Sequence, residues 1–192
     1  MNSPKMVPMA RASGAARKLA AEALYEYALR ALSRRPHTSA ELETKLLRRC
    51  IHRRDVVGVM ERLCGYGYLD DEHLAESYSV SRRDHAMLGH RRVVDDLSRR
   101  GVDRATAERT VTNAYRESDE SELARKYLRR KMGTRLGETR VDDRKQLARL
   151  YRALVRAGFE PRAIADALRG VSDDSELLDS LAEASLSGYV ED

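Results

Sequence analysis

The chain has 192 residues, with 36 Lys and Arg against 31 Asp and Glu, a net charge of +5, no Trp and a single Phe. So thin a supply of large apolar side chains excludes one thick core and suits thin helical modules, each burying a narrow stripe of Leu, Ala, Val and Tyr. No apolar run approaches the ~20 residues of a membrane span, no leader with an apolar core opens the chain, and the basic balance points to nucleic acid, an anionic surface or an acidic partner.

Residues 1–19 lack any period and read as a disordered basic tail. From Ala20 the pattern turns helical, with Leu24, Tyr25, Ala28, Leu29 and Leu32 on one side and Pro36 as the stop. Thr38-Ser39-Ala40-Glu41 is a capping box that opens a second helix, with Leu42, Leu46 and Leu47 inward. A third helix begins near Arg53, with Val56, Val57, Met60 and Leu63 as its stripe. It ends at a corner, Gly67-Tyr68-Leu69-Asp70-Asp71, where Tyr68 and Leu69 are expected to be pinned and Asp70 or Asp71 to cap the next helix. A catalytic reading of this carboxylate pair has no neighbouring His or Lys to complete it.

The cycle then repeats. A helix from Asp71 to about Arg83 carries Leu74, Ala75 and Tyr78 inward, and a loop with His85 and Gly89 follows. The next helix buries Val93, Val94 and Leu97 and stops at Gly101, and Asp103 caps another with Ala107, Val111, Ala114 and Tyr115. A third cycle opens at Ser118 or Asp119 with Leu123, Ala124, Tyr127 and Leu128, then stops at Gly133. After a loop over 133–141, a helix from about Asp142 to Ala157 buries Leu147, Leu150, Tyr151 and Leu154 and stops at Gly158. Pro161 opens the last helix, with Ile164, Ala167 and Leu168 inward. The endings Leu46-Leu47-Arg48-Arg49-Cys50-Ile51, Leu97-Ser98-Arg99-Arg100-Gly101-Val102 and Leu154-Val155-Arg156-Ala157-Gly158-Phe159 align at offsets of 51 and 57 residues. Self-similarity near that period means stacked modules that share an apolar seam. The expected fold is all-α: three tandem three-helix repeats (20–70, 71–117 and 118–170) in an elongated, curved molecule. Cys50 stands where the other copies have Gly, so the second helix is expected to end differently.

Residues 171–192 form an acidic tail with seven Asp and Glu and no Lys or Arg; at −7, it leaves +12 for the rest of the chain. Leu177, Leu178, Leu181 and Leu186 are spaced for a weak helix there. Cys50 and Cys64 read as reduced thiols of a cytoplasmic protein. A zinc site from Cys50, His52, Cys64 and His73 lacks any paired-ligand spacing, so no metal and no cofactor is expected. No phosphate loop, dinucleotide fingerprint or nucleophile elbow occurs, and His37, His52, His73, His85 and His90 are scattered, so an enzyme has no positive support.

The recurring cations are the informative feature. Lys45, Arg48 and Arg49, Arg53 and Arg54, Arg91 and Arg92, Arg99 and Arg100, and Arg129, Arg130 and Lys131 recur along the repeat, as does the Arg82-Arg83 pair. Arg149, Arg152 and Arg156 are spaced for one helical face. Any single pair is most simply a solvated face, whereas recurrence in stacked modules makes a stripe that follows a phosphate backbone or an acidic groove. Tyr25, Tyr66, Tyr78, Tyr115, Tyr127 and Tyr151 lie on or beside apolar stripes, so base reading is not indicated.

The run Gly67-Tyr68-Leu69-Asp70-Asp71 with Leu74-Ala75, the Leu97–Val102 and Leu154–Phe159 endings, and Ala31-Leu32-Ser33-Arg34-Arg35 with Ser39-Ala40-Glu41-Leu42 and Lys45-Leu46 together resemble the bacterial RecX regulatory proteins over about residues 22–169. The resemblance implies three tandem three-helix repeats and no catalysis. It implies binding along the groove of the RecA recombinase filament and modulation, usually inhibition, of its ATPase, strand-exchange and coprotease activities, within DNA repair, recombination and the SOS response. The partners expected are that filament and single-stranded DNA, with double-stranded DNA left open; no membrane is expected, and the chain is expected to be a monomer. Cys50 and the two tails depart from the family pattern. The alternative is a stand-alone helical protein that binds DNA without sequence preference, and a third reading is a scaffold for another acidic partner.

Overall fold

The computed structural model describes residues 18–132, 143–172 and 180. Among them are nine α-helices in three consecutive sets: α1 (Ala21–Leu32), α2 (Ser39–Leu47) and α3 (Arg53–Gly65); α4 (Asp71–Ser81), α5 (His90–Arg99) and α6 (Arg104–Tyr115); α7 (Glu120–Met132), α8 (Arg144–Arg156) and α9 (Pro161–Arg169). The repeat read from the helix endings is visible in the packing, because in each set the first helix lies against the third: α1 on α3, α4 on α6, α7 on α9. The expected stops at Gly133 and along 133–141, the tail before Lys18 and most of the acidic tail lie outside the described residues.

The described residues fall into two compact units, divided at Pro36/His37, Glu41/Leu42 and Tyr68/Leu69. The first holds α1, α3 and most of α2. Its core is Leu24, Tyr25, Ala28 and Ala31 of α1, Leu42 and Leu46 of α2, and Val56, Val59 and Leu63 of α3, joined by Cys50. The α3 stripe therefore runs 56-59-63, and Val57, expected inward, is 57% exposed. One residue of phase separates the two readings: both valines fit a helical period, and the buried set takes the three-residue step from Val56 to Val59 and the four-residue step to Leu63. Cys50 indeed closes α2 in another way. It forms an isolated parallel bridge with Leu19, the Leu19 N–H donating to the Arg49 carbonyl at 2.7 Å and the Ile51 N–H to the Leu19 carbonyl at 3.0 Å. Lys18 and Leu19 are thus tied to the first unit rather than to a tail.

The second unit has one continuous core drawn from the second and third sets, running from Ala75, Val93, Val94 and Leu97 through Val111 and Leu128 to Leu147, Leu154, Ile164 and Leu168. Each such Leu or Ile stabilises the fold by about 1.5–3 kcal/mol. Val171 and Ser172 are buried at its margin. The loop expected around His85 is instead a π turn, Arg82–Ala86, closed by Met87 in the left-handed region at φ 52°.

Three helices stop alike. Gly67, Gly101 and Gly158 take φ of +70°, +87° and +84°, and in each case the next residue donates five positions back: Tyr68 to Leu63, Val102 to Leu97, Phe159 to Leu154. This is the closure in which a glycine takes the left-handed position cheaply and the following residues satisfy the last carbonyls. Gly158 also permits a backbone contact that any Cβ would block. A methyl there would sit 2.2 Å from the Arg92 nitrogen, and one on Gly89 would sit 2.3 Å from the Gly158 carbonyl. Through this gap Gly89 donates to Ala157 O at 2.8 Å and Arg91 to Gly158 O at 3.2 Å, so the start of α5 is seated on the end of α8.

Candidate functional site

The corner residues act as caps. Asp70 is the N-cap of α4 and accepts from the His73 N–H at 2.9 Å. Asp71 Oδ1 accepts from the Ser39 N–H at 2.8 Å, so it caps the start of α2. The capping box is present: Glu41 N–H donates to Thr38 Oγ1 at 3.1 Å, and Thr38 N–H reaches Glu41 Oε2 at 3.4 Å. Leu69 is buried, but Tyr68 is 54% exposed and Tyr66 67%, their ring centroids 6.3 Å apart. Neither tyrosine packs in a core, whereas Tyr25, Tyr115 and Tyr151 do. Among the described residues no three His, Cys, Asp or Glu side chains gather to hold a metal ion, and no helix is long and apolar enough to cross a membrane.

The arginines separate by what they touch. In the first unit, Arg48 and Arg49 close α2, while Arg53 and Arg54 open α3 behind His52, an N-cap residue whose side chain makes no capping bond. Arg49 lies over the Tyr27 ring at 5.4 Å, Lys45 is half-buried with partners of its own, and Arg48, Arg53 and Arg54 are exposed. Lys18 adds a further ammonium, donating to the Arg48 carbonyl at 3.3 Å. Arg62 is anchored twice, 3.8 Å over the Tyr25 ring and 3.1 Å from Glu22.

In the second unit the α5 arginines are held internally. Arg91 lies 3.7 Å from Glu160 and Arg99 2.8 Å from Asp96. Arg92 Nε lies 3.0 Å from Asp96 Oδ1, a charge contact whose N–H is not aimed as a hydrogen bond. Arg100 is the most embedded: it pairs with Glu41 at 2.9 Å with both side chains 23% exposed, covers the Tyr78 ring at 5.1 Å, and its carbonyl accepts from Thr38 Oγ1 at 2.5 Å. On α7, Arg129 pairs with Glu122 at 2.8 Å, Arg130 donates to the His85 carbonyl, and Lys131 reaches the Tyr127 hydroxyl at 3.4 Å.

Helix α8 differs. Its sequence contains no Asp or Glu, and Arg149, Arg152 and Arg156 are exposed with no ion pair or hydrogen bond to another described residue. Lys145, four positions before Arg149, extends the face to four cations; the sequence reading missed it although the spacing was there. Over eleven residues the stripe spans about 16 Å. The opposite face of α8 is the buried set Leu147, Leu150, Tyr151 and Leu154, which fixes the direction in which the cations point.

A groove of about 740 Å³ lies where α5 and α6 meet the α8–α9 corner, with Val94, Val155 and Phe159 below and Arg91, Arg92, Arg99, Arg104 and Arg156 around Asp95, Glu108 and Glu160. At its end, Glu120 accepts from the Glu160 N–H at 3.3 Å. Burial raises the Glu120 carboxyl above the usual range, partly offset by that bond and one from the His90 N–H. Burial also lowers His90 below the ordinary imidazole value; its Nε2 lies 3.2 Å from Thr112 Oγ1. These groups join elements: Glu120 of α7 to the start of α9, and His90 of α5 to Thr112 of α6. Burial likewise pushes the Tyr115 phenol up, and its hydroxyl donates to the Leu88 carbonyl at 2.8 Å.

Comparison with known proteins accords with this architecture. Residues 25–63 match the family model described as RecX, first three-helix domain. A regulatory protein RecX from Mycobacterium sp. (strain KMS) is 36% identical over 141 residues, covering 72% of this chain and 75% of that protein. One from Halorhodospira halophila (strain DSM 244 / SL1) is 32% identical, covering 82% and 93%. The crystal structure of RecX from Lactobacillus salivarius shares the fold, with a TM-score of 0.65 at 23% identity, over 79% of this chain and 96% of that one. The chain belongs to the RecX family of regulatory proteins.

Proposed function

We propose that this chain regulates RecA-type recombinase filaments by binding along them, as a monomer in the cytoplasm, and that it restrains their ATPase, strand-exchange and coprotease activities during DNA repair, recombination and the SOS response. The observation that carries the reading is the separation of the cations. Those of α5, and Arg125, Arg129, Arg130 and Lys131 of α7, are held by the protein's own carboxylates, rings and carbonyls. Arg48, Arg53 and Arg54 in one unit and Arg149, Arg152 and Arg156 in the other stand exposed and, among the described residues, unpaired. Guanidinium groups so placed make charge-assisted contacts to the carboxylates of a filament or the phosphates of its DNA. Family membership supplies the regulatory role. The chain does no chemistry in this account; it acts by occupying a surface that subunits of the filament must rearrange.

The test is RecA ATPase on single-stranded DNA with this protein titrated in at moderate salt. Inhibition well below one molecule per recombinase is the expected result. A loss of ATPase only at ratios that cover the DNA would favour the stand-alone DNA-binding alternative, and no change at any ratio would refute inhibition.

A further inference from the structure

The α8 stripe and the acidic segment that follows α9 are complementary, and the chain joins them. The stripe has four exposed cations, Lys145, Arg149, Arg152 and Arg156; no residue from Arg144 to Arg156 is acidic, and the N-cap carboxylate of Asp143 is taken by the Lys145 N–H at 2.9 Å. Other cation-rich helices of this unit are internally neutralised: α5 by Asp96, Glu41 and Glu160, and α7 in part by Glu122. Beyond Ser172 the sequence carries seven carboxylates and no cation. Glu176, Asp179 and Glu183 are three and four positions apart, the step of Arg149, Arg152 and Arg156.

The exit point suits the pairing. Val171 and Ser172 are buried, so the segment leaves from a fixed place at the end of α9, a helix packed on α8. Twenty residues reach up to ~65 Å, against about 20 Å for the whole of α8. A tether that short holds its charges near the stripe at millimolar effective concentration, enough for a multivalent contact of individually weak pairs.

We propose that residues 173–192 dock on the Lys145–Arg149–Arg152–Arg156 face of α8 in the free protein and occupy it until a stronger polyanion displaces them. The docking stands on this charge match alone. Its regulatory consequence, that the segment tunes affinity for a DNA-bound filament, rests on the function proposed above.

The docking is tested in the full chain carrying Ser187→Cys and Cys64→Ser, with a nitroxide on the new thiol and the α8 backbone amides observed by NMR. Broadening of α8 amides at low salt is expected. It should vanish at about 1 M salt, where the screening length is about 3 Å, and with Arg149→Gln, Arg152→Gln and Arg156→Gln together. No broadening at low salt, or broadening that survives the three substitutions, would overturn the docking. A second arm uses the full chain with Asp173→Asn, Asp174→Asn, Glu176→Gln, Asp179→Asn and Glu183→Gln, and oligodeoxythymidylate as probe. Its affinity should rise about two- to tenfold. Broadening without that rise would leave the docking standing and count against α8 as the face that takes DNA.

Discussion

Helices α5 and α8 are the second helices of successive modules, and they stop alike, at Gly101 and Gly158, with the same five-residue closure. Their arginines nevertheless do different work. Those of α5 meet Asp96 on their own helix, Glu160 at the start of α9 and Glu41 at the start of α2, so they tie neighbouring elements together. Arg149, Arg152 and Arg156 of α8 meet none of these and remain available. A shared repeat pattern therefore sets which face a side chain occupies; the carboxylates within reach of that face decide whether the cation is structural or presented.

The largest effect should come from the glycine that seats α5 on α8. Gly158→Ala places a Cβ 2.2 Å from the Arg92 nitrogen and forces an L-residue into the left-handed region, which costs about 1–2 kcal/mol before any clash. With overpacking added, a destabilisation of roughly 3 kcal/mol or more is expected. In Gly101→Ala the nearest obstacle is the Ala40 methyl at 2.4 Å, a side chain rather than backbone, so the drop in a urea unfolding midpoint should be smaller. Equal drops would show that the α5–α8 seat adds nothing beyond backbone conformation.

Next comes the contrast between a structural and a presented arginine. Arg100→Ala removes the ion pair to Glu41 and one of the two guanidinium groups over Tyr78, and should cost about 1–2 kcal/mol. Arg152→Ala should stay within about 0.5 kcal/mol. In binding the order reverses. Replacing Arg149, Arg152 and Arg156 by Gln should lower the slope of log affinity against log salt on single-stranded DNA by about 2, at roughly 0.7 for each phosphate no longer neutralised. The same change at Arg91, Arg92 and Arg99 should lower it by less.

The smallest effect is a pH dependence at the start of α5. The folded state depresses His90 below its ordinary value of 6.5, so the unfolded chain binds more protons there. His90 therefore contributes stability that is present above pH 6.5 and is lost as pH falls through its folded value. Between pH 7.5 and 5.5, His90→Gln should show a flatter decline in urea midpoint than the parent chain; an identical decline would assign the dependence elsewhere.

Most of the fold was legible because each element carried more than one consistent signal. Val93, Val94 and Leu97 had a helical period, a glycine stop and an acidic cap following, and all three are buried. The capping box and the Asp103 cap followed from short-range hydrogen bonding alone, whereas the sequence left Asp70 and Asp71 as equal candidates for α4, and Asp71 caps α2 instead. Val57 and Tyr68 were misread because each adjoins another apolar residue, Val56 or Leu69, and the pair alone does not say which member turns inward; the π turn at Arg82–Ala86 has no local sequence marker. The surface was less legible. Which arginines are paired depends on carboxylates 59 or 69 positions away, such as Glu41 for Arg100 and Glu160 for Arg91. The exception was readable: a helix with five cations and no acid, α8, cannot neutralise itself.

The central claim is that α8 presents its arginines to the filament while α5 spends its own internally. It is tested most directly by binding to a RecA filament assembled on single-stranded DNA with a non-hydrolysable ATP analogue. The parent chain, the Arg149→Gln/Arg152→Gln/Arg156→Gln variant and the Arg91→Gln/Arg92→Gln/Arg99→Gln variant would be compared, each checked for helical content. The account predicts that the α8 variant binds at least about tenfold more weakly, roughly 1.4 kcal/mol, and that the α5 variant is clearly less affected. An α8 variant that binds like the parent, or an α5 variant that is weakened more, would contradict it.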